Sequence, residues 1–197
     1  MRPLGIVKSK FRKILKLTFT GSVANEAAAS NTALLLDPNV SVTGGKLNLN
    51  GLSTCSVKVS QSVGNDWFNL QRDFDLTFDL IINPASSFGE IIAFEDLTEG
   101  SVFRLVYFGS GVLQVVHFGS PNVSAAYSSA VTLGVNLPIK IEYRRTSVKL
   151  FVNGVTVINA TGWLQRLAVP RDLWLGGSGI ENTILGSLDN VEMTLFL

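Results

Sequence analysis

Val148-Lys149-Leu150-Phe151-Val152-Asn153-Gly154-Val155-Thr156-Val157-Ile158 sets two apolar, β-branched runs on either side of an Asn-Gly pair. Asn-Gly is the dipeptide preferred by a two-residue type I′ hairpin turn, because both central residues need positive φ. The stretch therefore predicts two antiparallel strands whose register is set by turn chemistry as well as by pattern. Upstream, Ile139, Ile141 and Tyr143 alternate with Lys140, Glu142 and Arg144. Further upstream, Phe74, Leu76, Phe78 and Leu80 alternate with Asp73, Asp75, Thr77 and Asp79. A period of two marks strands with one face in a core. Gly109-Ser110-Gly111 separates apolar runs at 102–108 and 112–118 and reads as a second hairpin. Further strands are expected near 14–19, 33–36, 46–50, 55–60, 89–95, 172–176 and 184–196. Helix-like composition is confined to 23–33, where Ser and Asn interrupt it. Strands with turns every 8–12 residues or so and no helix between them predict an all-β, antiparallel sandwich of two sheets.

The inventory of reactive residues narrows the chemistry. The 197 residues fit one domain able to bury a core without staples. One cysteine, Cys55, allows no intrachain disulfide and no cysteine-based zinc site, and one histidine, His117, rules out a histidine-rich metal site. Cys55 sits in a strand-like setting and is expected to be a small buried hydrophobe. The formal net charge of +1 conceals a partition: six of 16 basic residues (Arg2, Lys8, Lys10, Arg12, Lys13, Lys16) precede the first acid, Glu26. The remainder carries 10 basic against 15 acidic residues, an acidic body behind a basic arm. Those cations interrupt every apolar window that a secretory signal needs, and no apolar stretch reaches the roughly 18 residues of a membrane span.

The order of motifs resembles a known fold family. Lys46-Leu-Asn-Leu-Asn-Gly51, Cys55-Ser-Val-Lys-Val-Ser60, Asp66-Trp67 and Asp73-Phe-Asp-Leu-Thr-Phe-Asp79 resemble the opening half of concanavalin A-like jelly rolls of the laminin G type. Pro138-Ile-Lys-Ile-Glu-Tyr-Arg144, Leu150-Phe-Val-Asn-Gly-Val155, Leu173-Trp-Leu-Gly-Gly177 and Leu185-Gly-Ser-Leu-Asp-Asn-Val191 are similar to its closing half. Lys16-Leu-Thr-Phe-Thr-Gly21 resembles the start of stand-alone copies found in tailed-bacteriophage structural proteins. The Ala- and Asn-rich segment that follows departs from the family, which usually carries an Asp-Ser-Ser/Gly turn there. The resemblance implies an all-β jelly-roll sandwich over residues 17–197 with an extended N-terminal arm at 1–16. The fold hosts lectins, adhesion modules, glucanases and viral adhesion or coat proteins, so function must come from the site.

Catalytic constellations are thin. Glycoside hydrolysis needs two carboxylates flanking the scissile bond. Glu95-Asp96-Leu97-Thr98-Glu99 comes nearest to the glucanase pattern, but alternation sends Asp96 to the opposite face and 97–100 reads as a loop. Asp73, Asp75 and Asp79 share one strand face and read as a solvent-facing stripe paired with Lys or Arg across strands. His117 lies inside a strand with no nucleophile elbow or recognisable orienting acid nearby, and a structural or partner-contacting role is expected. No catalytic residue, metal or cofactor is assigned. Of Trp67, Trp163 and Trp174, Trp163 follows Thr161-Gly162 in a loop and is the candidate ring for stacking on a sugar.

The arm interleaves cations with Leu4, Ile6, Val7, Phe11, Ile14 and Leu15, unlike an ordinary disordered tail. It is read as a docking peptide, with Arg2, Leu4, Ile6, Lys8, Lys10, Phe11, Arg12 and Lys13 contacting an acidic neighbour, and not as a nucleic-acid or membrane-inserting segment. The expected role is a non-enzymatic virion protein of a tailed phage, a head decoration or a short tail fibre, assembled in the host cytoplasm. Its expected partners are other virion proteins, copies of itself (the resemblance suggests a trimer) and a host-surface glycan. A carbohydrate-binding lectin module or a glucanase-like glycoside hydrolase is the alternative.

Overall fold

The computed structural model describes residues 11–20, 24–25, 32–61, 70–96, 100–118, 123–163, 172–177 and 182–196. Every strand and helix assignment among them is a strand, so the helix-like composition at 23–33 does not act as a helix where it is described. The first sheet runs β14 (Val155–Thr161), β13 (Ser147–Val152), β12 (Leu137–Arg144), β7 (Phe74–Ile82), β16 (Leu185–Phe196), β1 (Phe11–Thr18) and β2 (Ala24–Asn25). β5 (Lys46–Asn50) also pairs with β16, and β4 (Ser41–Thr43) with β5. The second sheet runs β11 (Val123–Tyr127), β10 (Leu113–Phe118), β9 (Gly100–Tyr107), β8 (Gly89–Asp96), β15 (Asp172–Leu175), β6 (Val57–Gln61) and β3 (Thr32–Leu36). The strand ladders are antiparallel, and the two sheets form a jelly-roll-like sandwich.

Alternation is carried through as the sequence predicts. In β7, Phe74, Leu76, Phe78, Leu80 and Ile82 are buried, while Asp75, Thr77, Asp79 and Ile81 face outward. In β12, Leu137, Ile139, Ile141 and Tyr143 point inward and Lys140, Glu142 and Arg144 outward. Asn153 and Gly154 have φ of 51° and 75°, the positive values that a type I′ turn demands. Cys55 is buried, its thiol donating to the Asn39 carbonyl at 3.3 Å, and burial pushes its pKa up.

The first strand begins within the stretch that the sequence suggests is an arm. Residues 11–16 belong to β1, which pairs with β16 along the edge of the core, and Ile14 and Leu15 are both buried. A bulge between Lys13 and Leu15 places two adjacent side chains in the core and breaks the alternation by which a strand is recognised. Only Arg2, Lys8 and Lys10 precede Phe11, which leaves 13 basic against 15 acidic residues in the rest of the chain.

The two sheets meet in an aromatic cluster. Tyr143 of the first sheet stacks on Phe74 at 4.8 Å and meets Phe103 of the second sheet edge-on at 5.7 Å. Phe94 lies 5.4 Å from Phe74 and 5.8 Å from Phe103. Full burial of each such ring contributes about 2–3 kcal/mol, and favourable ring geometry adds about 0.5–1.5 kcal/mol per pair. The Tyr143 hydroxyl donates to the Leu70 carbonyl at 3.1 Å and lies 3.3 Å from Nε2 of His117 on β10. His117 is buried, its Nδ1 has no hydrogen-bond partner among the described residues, and burial lowers its pKa.

Two predictions follow from this packing. A Cβ on Gly186 would run into the Ile81 carbonyl of the paired strand, whereas one on Gly154 meets open space. Gly186→Ala is expected to cost more than about 2 kcal/mol and Gly154→Ala about 1 kcal/mol, from left-handed backbone strain alone, as read from urea unfolding. The folded state favours neutral His117, while the unfolded chain takes up the proton near pH 6.5. Stability present above pH 6.5 is therefore lost as the pH falls below it. The urea midpoint should drop between about pH 6.5 and 5 in the native chain and lose that share of its slope in His117→Phe.

Candidate functional site

Because β7, β12, β13 and β16 send every second side chain outward, their register assembles rows across the sheet. Phe151 lies opposite Lys140, Lys140 opposite Thr77, and Thr77 opposite Glu192. The next row is Lys149, Glu142, Asp75 and Thr194. A groove of about 590 Å³ crosses these rows, lined among others by Thr77, Asp79, Lys140, Glu142, Phe151 and Asn190. Its volume lies within the roughly 300–1,000 Å³ of ordinary ligand sites.

Local backbone chemistry shapes both ends. The Asn153-Gly154 turn closes β13 onto β14, its Asn153 N–H donates to the Pro138 carbonyl at 2.9 Å, and Gly154 lines the groove. Half-buried Phe151 sits two residues before that turn, where the β13–β14 register shifts. At the other side, a bulge between Asp189 and Glu192 re-aims Asn190, whose φ is 52°. The Asn190 side-chain amide donates to Asp79 at 2.6 Å, and the Asn136 amide approaches the same carboxylate at 3.4 Å.

The charges of this face are mutually engaged. Lys140 reaches Glu142 at 2.6 Å and Asp75 at 3.1 Å, and Arg144 meets Asp75 at 2.8 Å. Lys13 of β1 pairs with Glu192 at 2.5 Å. The Glu142 hydrogen bond is the main reason that the Lys140 pKa is raised. Ion pairs this exposed contribute about 0–1 kcal/mol each, so their effect is to order the face and not to hold the fold. Asp73, Asp75 and Asp79 thus form the outward stripe expected from the sequence, and Arg145 stands 3.6 Å from Asp73. A half-buried ring with the Lys140 ammonium 5.8 Å from its centroid, beside carboxylates and an amide held in place, is a surface that can meet polar, ring-shaped ligands. The two glutamates that line it each hold a lysine ammonium.

The sequence-predicted site residues fall elsewhere. Trp163 is 8% exposed, its ring stacked on His117 at 5.5 Å and its backbone N–H donating to the Thr146 carbonyl at 3.0 Å. It extends the aromatic cluster and does not stand at a loop tip. Arg2, Leu4, Ile6, Lys8 and Lys10 lie outside the described residues. Phe11, Arg12 and Lys13 are part of β1, and the Lys13 side chain is committed to Glu192. Glu95 belongs to β8 on the outer side of the second sheet and accepts the Trp174 indole N–H at 2.6 Å. Burial pushes the Glu95 pKa up. Among the described residues no group of three or more His, Cys, Asp or Glu is placed to hold a metal ion.

No protein-family model and no curated protein matches the chain. Solved structures do. The receptor-binding domain of the botulinum neurotoxin C/D mosaic serotype aligns with a TM-score of 0.74 at 14% identity, over 92% of this chain and 47% of that one. The binding domain of Paraclostridial Mosquitocidal Protein 1 aligns with a TM-score of 0.72 at 13% identity, over 92% and 48%. The botulinum neurotoxin serotype D ligand-binding domain in complex with N-acetylneuraminic acid aligns with a TM-score of 0.72 at 12% identity, over 92% and 47%. The chain therefore spans about half the length of these structures, and at such identities the likeness is one of fold: a β-sandwich that other proteins use within binding domains.

Proposed function

We propose that the chain is a non-enzymatic glycan-binding β-sandwich that takes its ligand in the groove over β13, β12, β7 and β16. The observation that carries this reading is the half-buried Phe151 ring on the same groove as the Asp79–Asn190 couple. An aromatic face accepts the C–H side of a pyranose ring, and a carboxylate held by an amide accepts its hydroxyls. Placement of the same fold within receptor-binding and ligand-binding domains supports a binding role. The wider part of the proposal is an adhesion or decoration protein of a tailed-phage particle, oligomeric and assembled in the host cytoplasm, attached through residues 1–10. Its support is the order of the sequence motifs and the three cations interleaved with Leu4, Ile6 and Val7.

Binding to a glycan array tests the first part. Phe151→Ala should weaken glycan binding about tenfold or more, since truncating an aromatic anchor commonly costs 2 kcal/mol or above. Its urea midpoint should stay near that of the native chain. Sustained release of reducing ends from laminarin or host polysaccharide would overturn the non-enzymatic part. Deleting residues 1–10 should leave a folded body, because β1 starts at Phe11, and abolish incorporation into particles. Retained incorporation would remove the docking role of that segment.

A further inference from the structure

The groove is rich in acceptors, and its cation is already engaged. Its charged lining residues are Asp79, Lys140, Glu142 and Glu192, three acids against one base. That base, Lys140, is shared between Glu142 and Asp75. Of the neighbouring cations, Lys13 is committed to Glu192 and Arg144 to Asp75, and Lys149, opposite Glu142 in register, is not among the residues that line the groove. Asp79 meets the amides of Asn190 and Asn136 and no cation among the described residues. Asp189 stands opposite it in register on β16, adding a second negative charge.

An acidic sugar entering this groove would have to break a Lys140 pair and lie against Asp79. One unit-charge repulsion at about 5–6 Å weakens binding by about threefold in bulk water and about a hundredfold in a surface dielectric, so about tenfold or more is expected at an open, salt-screened groove. A neutral sugar meets no such opposition, because its hydroxyls can donate to the remaining lone pairs of these carboxylates.

The spacing of the two anchors sets a minimum length. Phe151 is on β13 and Asp79 on β7, with β12 between them, about 9.6 Å apart across two strand spacings. Phe151 is level with Thr77 through Lys140, and Asp79 lies two residues further along β7, about 6–7 Å. The diagonal exceeds the width of one pyranose ring.

We infer that the groove binds an uncharged oligosaccharide of at least two sugar units, laid diagonally across β13, β12 and β7, and selects against acidic glycans. The inference rests on the glycan-binding reading above and specifies its ligand class. An array pairing neutral glycans of one to five units with their sialylated, sulfated and uronate-bearing counterparts tests it. The tightest neutral binder should exceed its acidic counterpart about tenfold or more, and should weaken at least as much when cut to its monosaccharide. Asp79→Asn should narrow the neutral-over-acidic ratio severalfold, whereas Phe151→Ala should lower both without changing the ratio. An acidic counterpart bound equally or more tightly, or a monosaccharide bound as well as the longer glycan, would overturn the inference and leave glycan binding standing. Binding of no glycan of either class would remove both.

Discussion

Tyr143 keys the two sheets together. Its ring lies flat on Phe74 within its own sheet, meets Phe103 of the facing sheet edge-on, and its hydroxyl reaches the Leu70 carbonyl and the His117 ring. Packed sheets can slide or rotate unless side chains interlock, and this interlock is polar at one end and apolar at the other. Its consequence extends to the outer surface. A strand that fixes Tyr143 inward must hold Lys140, Glu142 and Arg144 outward, so the core contact also sets the floor of the groove.

Most of the fold was legible from local chemistry. The Asn153-Gly154 hairpin and the alternation of β7 and β12 each carry enough pattern to specify a strand and its buried face. β4 and β11 were not legible. β4 is three residues long, and its signal is the turn Gly44-Gly45, with φ of 60° and 77°, more than the strand itself. β11 reads Val-Ser-Ala-Ala-Tyr, a composition with little strand preference that borrows its order from β10. The start of the sandwich was misplaced because the β1 bulge puts Ile14 and Leu15 side by side in the core while Arg12 and Lys13 remain exposed.

The site was less legible than the fold. Phe151, Asp79, Lys140 and Asn190 come from four strands and converge only through register, which no window of the sequence displays. Trp163 shows the opposite failure. Thr161-Gly162 does make a bend, with Gly162 at φ 76°, but the bend folds the indole back over His117. A large ring beside a turn reads as solvent-facing, but the core has a place for it. The Asp75 stripe is legible in the sequence because strand alternation and cross-strand charge pairing are both local rules.

The groove is bounded by two kinds of backbone irregularity with different tolerance for change. At the β13–β14 end it is the tip of a hairpin, where a side chain on Gly154 meets open space and the cost of an exchange is confined to the turn's own left-handed backbone. At the β16 end it is a bulge inside a strand that pairs with β5 before it and β1 after it. An inserted or deleted residue there would reverse the facing of Glu192, Thr194 and Phe196 and carry their charges or rings into the core. Change in the lining of the groove is therefore channelled to one wall, and the other is inherited with the fold.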